Sequence, residues 1–182
     1  MNALRERRLS TKPIDAWRWV AIVSLGLLAV YASILISAAR QGLWIVNAHG
    51  GLAQGDFCEF WGAGRLALHG RAADVYNWPI LRTFLDAHSS GAFAKGSLPF
   101  FYPPFLLLLL APLMVAPPVV AASLWLGGGY LAYLGAMRLI VQRPAALLAA
   151  AAAPAAFLVV SFGQNGLLSA ALPLRVSARV SA

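Results

Sequence analysis

Trp19–Ala39 reads WVAIVSLGLLAVYASILISAA, a run without a single charge. As an unbroken helix at 1.5 Å per residue it would be about 30 Å long, the thickness of a bilayer's hydrocarbon core. Just upstream lie Arg5, Arg7, Arg8, Lys12 and Arg18, against Glu6 and Asp15. That basic excess predicts a cytoplasmic N-terminus over residues 1–18, because positive flanks are retained on the inner side. Ser37-Ala38-Ala39 has the small residues of a signal-peptide cleavage site. The apolar core of such a signal is about 7–15 residues, however, and this run is longer. Residues 19–39 therefore read as an uncleaved transmembrane helix.

The rest of the composition agrees. Of 182 residues, 60% are hydrophobic and 11% charged. A soluble domain of this size has too much surface for its volume to hide so much apolar material, so lipid must act as a second solvent. The net charge of +8 comes from arginines scattered beside apolar runs. This fits headgroup contact and membrane orientation, with membrane lipid rather than nucleic acid as the partner. The lone Cys58 excludes an intrachain disulfide and a cysteine-based zinc site. His49, His69 and His88 share no helical register, so no metal site is expected. The chain has no phosphate loop, nucleophile elbow or dinucleotide fingerprint, and no cofactor is expected.

Residues 40–98 turn polar and carry Asp56, Glu59, Asp74 and Asp86, four of the six acidic residues. With the N-terminus inside, this segment is an extracytoplasmic loop. Phe57, Phe60, Trp61, Gly64 and Leu68 recur at helical spacing, as do Ile80, Leu81, Phe84 and Leu85. They predict two short amphipathic helices lying on the membrane surface, joined near Gly70, with the aromatics as interfacial anchors. Pro79 suits the first turn of the second helix, with Asn77 as its cap.

Residues 99–174 are apolar almost throughout and predict further spans near 100–116, 119–140 and 145–162, with a partial one at 167–174. Pro117-Pro118 separates the first two, and Pro154 interrupts the third. Gly127-Gly128-Gly129 would allow close helix contact or a kink. Strict alternation of four spans would place Arg138 and Arg143 outside, against the positive-inside tendency. The tail 175–182, a near repeat of small and basic residues, reads either as a truncated or frame-shifted end or as a short cytoplasmic tail. The fold class expected is an all-α polytopic membrane protein.

Asp56 is the residue on which function turns. Asp56 and Glu59 stand as N-cap and third helical residue, close to a capping box, and capping alone would explain both acids. Catalysis would need the carboxylate at the water–lipid boundary, within hydrogen-bond reach of an acceptor hydroxyl. From spacing, capping is the first alternative and chemistry the second. Asp74-Val75-Tyr76-Asn77 reads as a polar turn. Gln164 and Asn165 could join helices or reach a polar cavity.

The order of several pieces adds to this. Gly55-Asp56-Phe57, Trp61-Gly62-Ala63-Gly64-Arg65-Leu66, Gly70, Ala73-Asp74-Val75-Tyr76, Phe101-Tyr102-Pro103-Pro104-Phe105 and Gly163-Gln164-Asn165 follow one another at distances that resemble the N-terminal part of glycosyltransferase family 87. That family comprises bacterial polyprenol-phosphate-dependent mannosyltransferases of the GT-C fold, and the resemblance covers roughly residues 15–170. It implies a GT-C-like N-terminal half in a multi-pass protein of the bacterial plasma membrane, with the catalytic acid in the first outward loop, where Asp56 falls. The implied activity moves a hexose, typically mannose, from a polyprenyl-phosphate donor to a glycan or glycolipid acceptor, with Asp56 as general base. Glu59, Arg65, Asp74, Tyr76, Tyr102, Gln164 and Asn165 become candidates for substrate contact, Arg65 or Tyr102 toward the phosphate. Members of the family are longer, so the chain is expected to be a fragment inactive alone. The alternative is a non-catalytic membrane accessory or transporter-like subunit.

Overall fold

The computed structural model describes residues 15–47, 51–53, 55–89 and 99–172. Arg5, Arg7, Arg8, Lys12, His49 and the tail 175–182 lie outside the described residues. Within them the chain is helical, with only isolated bridges from Val46 to Trp44 and Leu52.

Helix α1 runs Ala16–Arg40. Asp15 caps it, its carboxylate accepting the Trp17 N–H at 3.2 Å. Arg40 lies in its last turn, where a cation meets the negative end of the helix dipole. Ile22, Val23, Leu25, Val30 and Ile34 are exposed along its length, as lipid-facing side chains would be. Helix α5 spans Pro118–Ile140. Helices α6 (Pro144–Ala151) and α7 (Pro154–Phe162) form one rod bent by 41°. Pro154 cannot donate to the preceding turn and breaks the ladder there. The carbonyls freed at the break are taken up by α5: the Tyr130 hydroxyl donates to Ala151 at 2.8 Å and that of Tyr133 to Ala150 at 3.3 Å. Among the described residues α1 and α5 are each long and apolar enough to cross a membrane, and α6–α7 makes a third if the bent pair is one span.

Between α1 and α5 the chain builds a cap from α2 (Asp56–Leu68), a 3-10 turn (Ala72–Tyr76), α3 (Trp78–His88) and α4 (Phe105–Leu113). The span expected at 100–116 is reduced to α4, whose nine residues reach about 13 Å, well short of a crossing. Helix α2 is also unlike its sequence pattern. Phe57, Phe60 and Trp61, expected as interfacial anchors, are buried, and so are Cys58, Glu59, Gly62, Ala63, Gly64 and Leu66. The cause is Gly62 and Gly64. A Cβ on Gly62 would lie 2.6 Å from Leu85 Cδ2, and one on Gly64 would lie 2.6 Å from Met114 Cγ. Both sides of α2 that periodicity leaves without large side chains are thus covered, by α3 and by α4. Helix α3 keeps the amphipathic arrangement, burying Leu81 and Leu85. Asn77 does occupy its N-cap position, but the side chain makes no capping bond there.

Gly127-Gly128-Gly129 lies within the unbroken α5 and makes no tight helix contact. A Cβ at Gly127 or Gly128 would meet nothing within 4 Å, and one at Gly129 only Leu168 at 3.8 Å. Gly127 instead lines a cavity of about 490 Å³ between α1, α5 and α6–α7, with Leu28, Leu35, Leu126, Phe157 and Val160.

Two contacts fix which ends of the rods lie together. The Arg143 guanidinium sits over the Trp17 ring at 4.8 Å, joining the start of α6 to the start of α1. At the opposite end Trp44, just past α1, donates its indole N–H to the Val160 carbonyl at 3.3 Å near the end of α7. The arginines flanking the α5–α6 connection therefore share an end with the first residues of α1.

Candidate functional site

The site begins at the first residue of α2. Gly55 takes the N-cap position, and no side chain caps the helix. This corrects the capping-box expectation: the helix starts one residue earlier than that box requires, so Asp56 and Glu59 stand in the first turn rather than at cap and third position. The half-buried Asp56 carboxylate accepts instead from the Gln164 side-chain amide, Nε2 to Oδ2 at 2.7 Å, across 108 residues.

Gln164 reaches it because of how α7 ends. Gly163 closes the helix in the left-handed region at φ 77°, where side chains other than glycine are strained. The turn also lies directly on α2, since a Cβ on Gly163 would sit 2.5 Å from that of Phe57. The Gly163 carbonyl accepts from the buried Trp125 indole of α5 at 3.3 Å, and the Gln164 N–H returns to Val159 at 2.9 Å. Three elements, α2, α5 and α7, thus converge on one carboxylate.

The remaining candidates fall into two groups. Glu59 is buried one turn along α2. Tyr102, half-buried in the non-helical lead-in to α4 and outside the helices that could span, packs its ring on Phe60 at 5.0 Å. Its phenol is pushed above the ordinary value of 10.0 by burial first, then by the negative charges of Asp56 and Glu59. The Tyr76 hydroxyl donates to the Tyr102 carbonyl at 3.0 Å, holding that lead-in from outside. These residues gather around Asp56.

Others do not. Arg65 lies nine residues along α2 from Asp56, about 13 Å on the helix axis. There it stacks over Trp61 at 5.4 Å and donates to the Met114 carbonyl at 3.4 Å, at the end of α4. That is a helix-terminus role for a cation. Asp74 is held in a surface ion pair with Arg71 at 2.7 Å. Asn165 is half-buried, and its carbonyl accepts the Ser169 N–H at 3.0 Å. Cys58, inside α2, has its thiol pushed up by burial and then by Glu59, and is no nucleophile. Among the described residues no group of three His, Cys, Asp or Glu side chains could hold a metal ion.

The turn that supplies Gln164 and the lead-in that supplies Tyr102 belong to one stretch of sequence. Residues 100–175 match glycosyltransferase family 87. The match supports a family 87 assignment over this part of the chain, less than half of its length. It takes in Tyr102, Trp125, Gly163, Gln164 and Asn165 and stops short of Asp56, Glu59, Arg65, Asp74 and Tyr76. Neither the curated proteins nor the solved structures give a match to this chain. Asp56 is thus tied to the family 87 segment by its hydrogen bond to Gln164. Trp125 and Trp44 were missed from sequence, because an indole inside an apolar run looks like any other bulky residue until its N–H finds a partner.

Proposed function

We propose that this protein transfers a hexosyl group, mannose by the family resemblance, from a polyprenyl-phosphate donor to a glycan or glycolipid acceptor at the outer face of a bacterial plasma membrane. The observation that carries the proposal is the Gln164–Asp56 hydrogen bond at 2.7 Å, which joins an acid from the outward segment to the turn matched by family 87. A carboxylate offers acceptor sites on two oxygens. Gln164 fixes the group through Oδ2, and the carboxylate takes the proton of the acceptor hydroxyl. The acceptor oxygen then bonds to the anomeric carbon as the bond from that carbon to the phosphate oxygen breaks. The configuration inverts, and polyprenyl phosphate leaves with the electron pair.

The cavity between the rods supports a donor with a lipid chain. Its lining is largely hydrocarbon, and most of the polar groups it contains are already bonded: Ser123 to the Val119 carbonyl at 2.8 Å, Tyr130 to Ala151 and Trp44 to Val160, while the Tyr31 ring stacks on Phe157 at 4.2 Å. Trp44 and Val160 stand at the same end of the rods as Gln164, so a chain held there would carry its headgroup toward Asp56. Tyr102, beside Asp56, is the better placed of the two phosphate candidates, and Arg65 is set aside by its position.

The test uses the full chain in vesicles with a radiolabelled polyprenyl-phosphate hexose and membrane acceptors. Asp56→Asn is expected to lower transfer by about 10²–10⁴-fold, the usual worth of a general base, with insertion unchanged. Wild-type rates in that variant would remove Asp56 as the base. No transfer from the lipid-linked sugar by the wild-type chain would remove the donor.

A further inference from the structure

Trp125 lies in the middle of an apolar helix, yet its one polar atom is spent on a particular carbonyl. Its side chain is 6% exposed. One face of the indole packs on Phe60 of α2, with ring centroids 5.1 Å apart, and Nε1 donates to Gly163 at 3.3 Å. An indole N–H buried this deeply needs an acceptor, and α7 offers one because it stops at Gly163. The next residue is Gln164, whose amide reaches Asp56 at 2.7 Å. The close packing of the turn on Phe57 sets its position, and the Trp125 bond is what holds its carbonyl.

We propose that Trp125 is a positioning residue for Asp56, acting through the Gly163–Gln164 turn. It rests on Asp56 being the base of the transfer reaction. The indole fixes the Gly163 carbonyl, the fixed carbonyl sets the direction of the Gln164 side chain, and the Gln164 amide holds one carboxylate oxygen so that the other faces the acceptor. Because Trp125 also packs on Phe60, four residues from Asp56 and on the same helix, one side chain sets both halves of the pair.

The test is a double-mutant cycle on the full chain in nanodiscs. Its readout is the rate at which a carbodiimide and an amine label Asp56, followed by mass spectrometry, together with amide exchange at Gln164. Gln164→Ala is expected to raise the labelling rate about fivefold, the effect of one hydrogen bond, and Trp125→Phe by a similar factor. The two together should give no more than either alone, because both remove the same constraint. Trp125→Phe should also speed exchange of the Gln164 amide. Multiplied effects in the double variant, or wild-type labelling in Trp125→Phe, would overturn the proposal. If Trp125→Phe loses protection throughout α5, benzothienylalanine at 125 keeps the ring shape and removes only the donor, and the same criteria apply. In the transfer assay Trp125→Phe should lower kcat with KM preserved. If the wild-type chain transfers nothing, the transferase assignment fails, while the labelling cycle still decides whether Trp125 positions Asp56.

Discussion

At the scale of the residue, Asp56 and Tyr102 illustrate how charge and burial act on one another across the site. Burial, Asp56 and Glu59 all hold the Tyr102 phenol in its protonated form. The folded chain therefore binds that proton more tightly than the unfolded chain does. Its contribution to stability is complete below the ordinary phenol value of 10.0 and is lost as pH rises from there through the raised value. Asp56→Asn removes one of the two repelling charges, so Tyr102 should ionise at lower pH in that variant than in the wild type. Tyrosinate absorbance during an alkaline titration measures this, with Tyr102→Phe identifying the component. Coincident titrations would mean that the Asp56 charge does not reach the phenol. Sequence picked out Asp56 as an acid just outside an apolar span and Gln164 as an amide between apolar runs, while Tyr102 came only through the family resemblance. It could not pair them, since the bond between positions 56 and 164 depends on where a bent helix ends.

At the scale of the element, the decisive side chains are those that are missing. Periodicity at 57, 60, 61, 64 and 68 marks a helix and gives it one apolar face; Gly64 counts in that stripe and Gly62 stands outside it, and neither letter shows that a neighbour sits against the bare backbone. In the structure Gly62 and Gly64 are where α3 and α4 enter. Gly64→Leu should drive the side chain into Met114 and the Leu110 carbonyl, the latter 3.0 Å from a Cβ at that position. Overpacking of this kind costs about 1–3 kcal/mol. Gly128→Leu, on a helix face where a Cβ meets nothing within 4 Å, should stay within about 0.5 kcal/mol of wild type. Heat- or SDS-induced unfolding in detergent compares them directly. An equal loss in both would show that α2 and α4 are not in close contact. The glycine triplet of α5 drew attention in the sequence because it was conspicuous, but a run of glycines marks open space as readily as contact. The two isolated glycines of α2 are the ones that bring helices together.

At the scale of the whole molecule, Arg138 and Arg143 fall at the end of the rods opposite Asp56 and Glu59 once α4 is removed from the count of crossings. Four spans would set Arg138 and Arg143 on the side away from the basic N-terminal flank, a conflict the sequence could state and not resolve. With α1, α5 and the bent α6–α7 pair as the crossings, Arg143 stacks on Trp17 at the N-terminal end of α1. Asp56, Glu59 and Gln164 lie at the other end, as an outward-facing site requires. Positive-inside retention then acts in one direction on both basic regions. Two reporters decide between the arrangements in a Cys58→Ala background: Leu43→Cys, on the exposed connection after α1, and Gln142→Cys, on the exposed connection before α6. An impermeant maleimide should label position 43 from outside the cell and position 142 only in inverted vesicles. Labelling of both from the same side would restore α4 as a crossing. It would also separate Gln164 from Asp56 by the width of the membrane, so the same result would dismantle the site together with the topology.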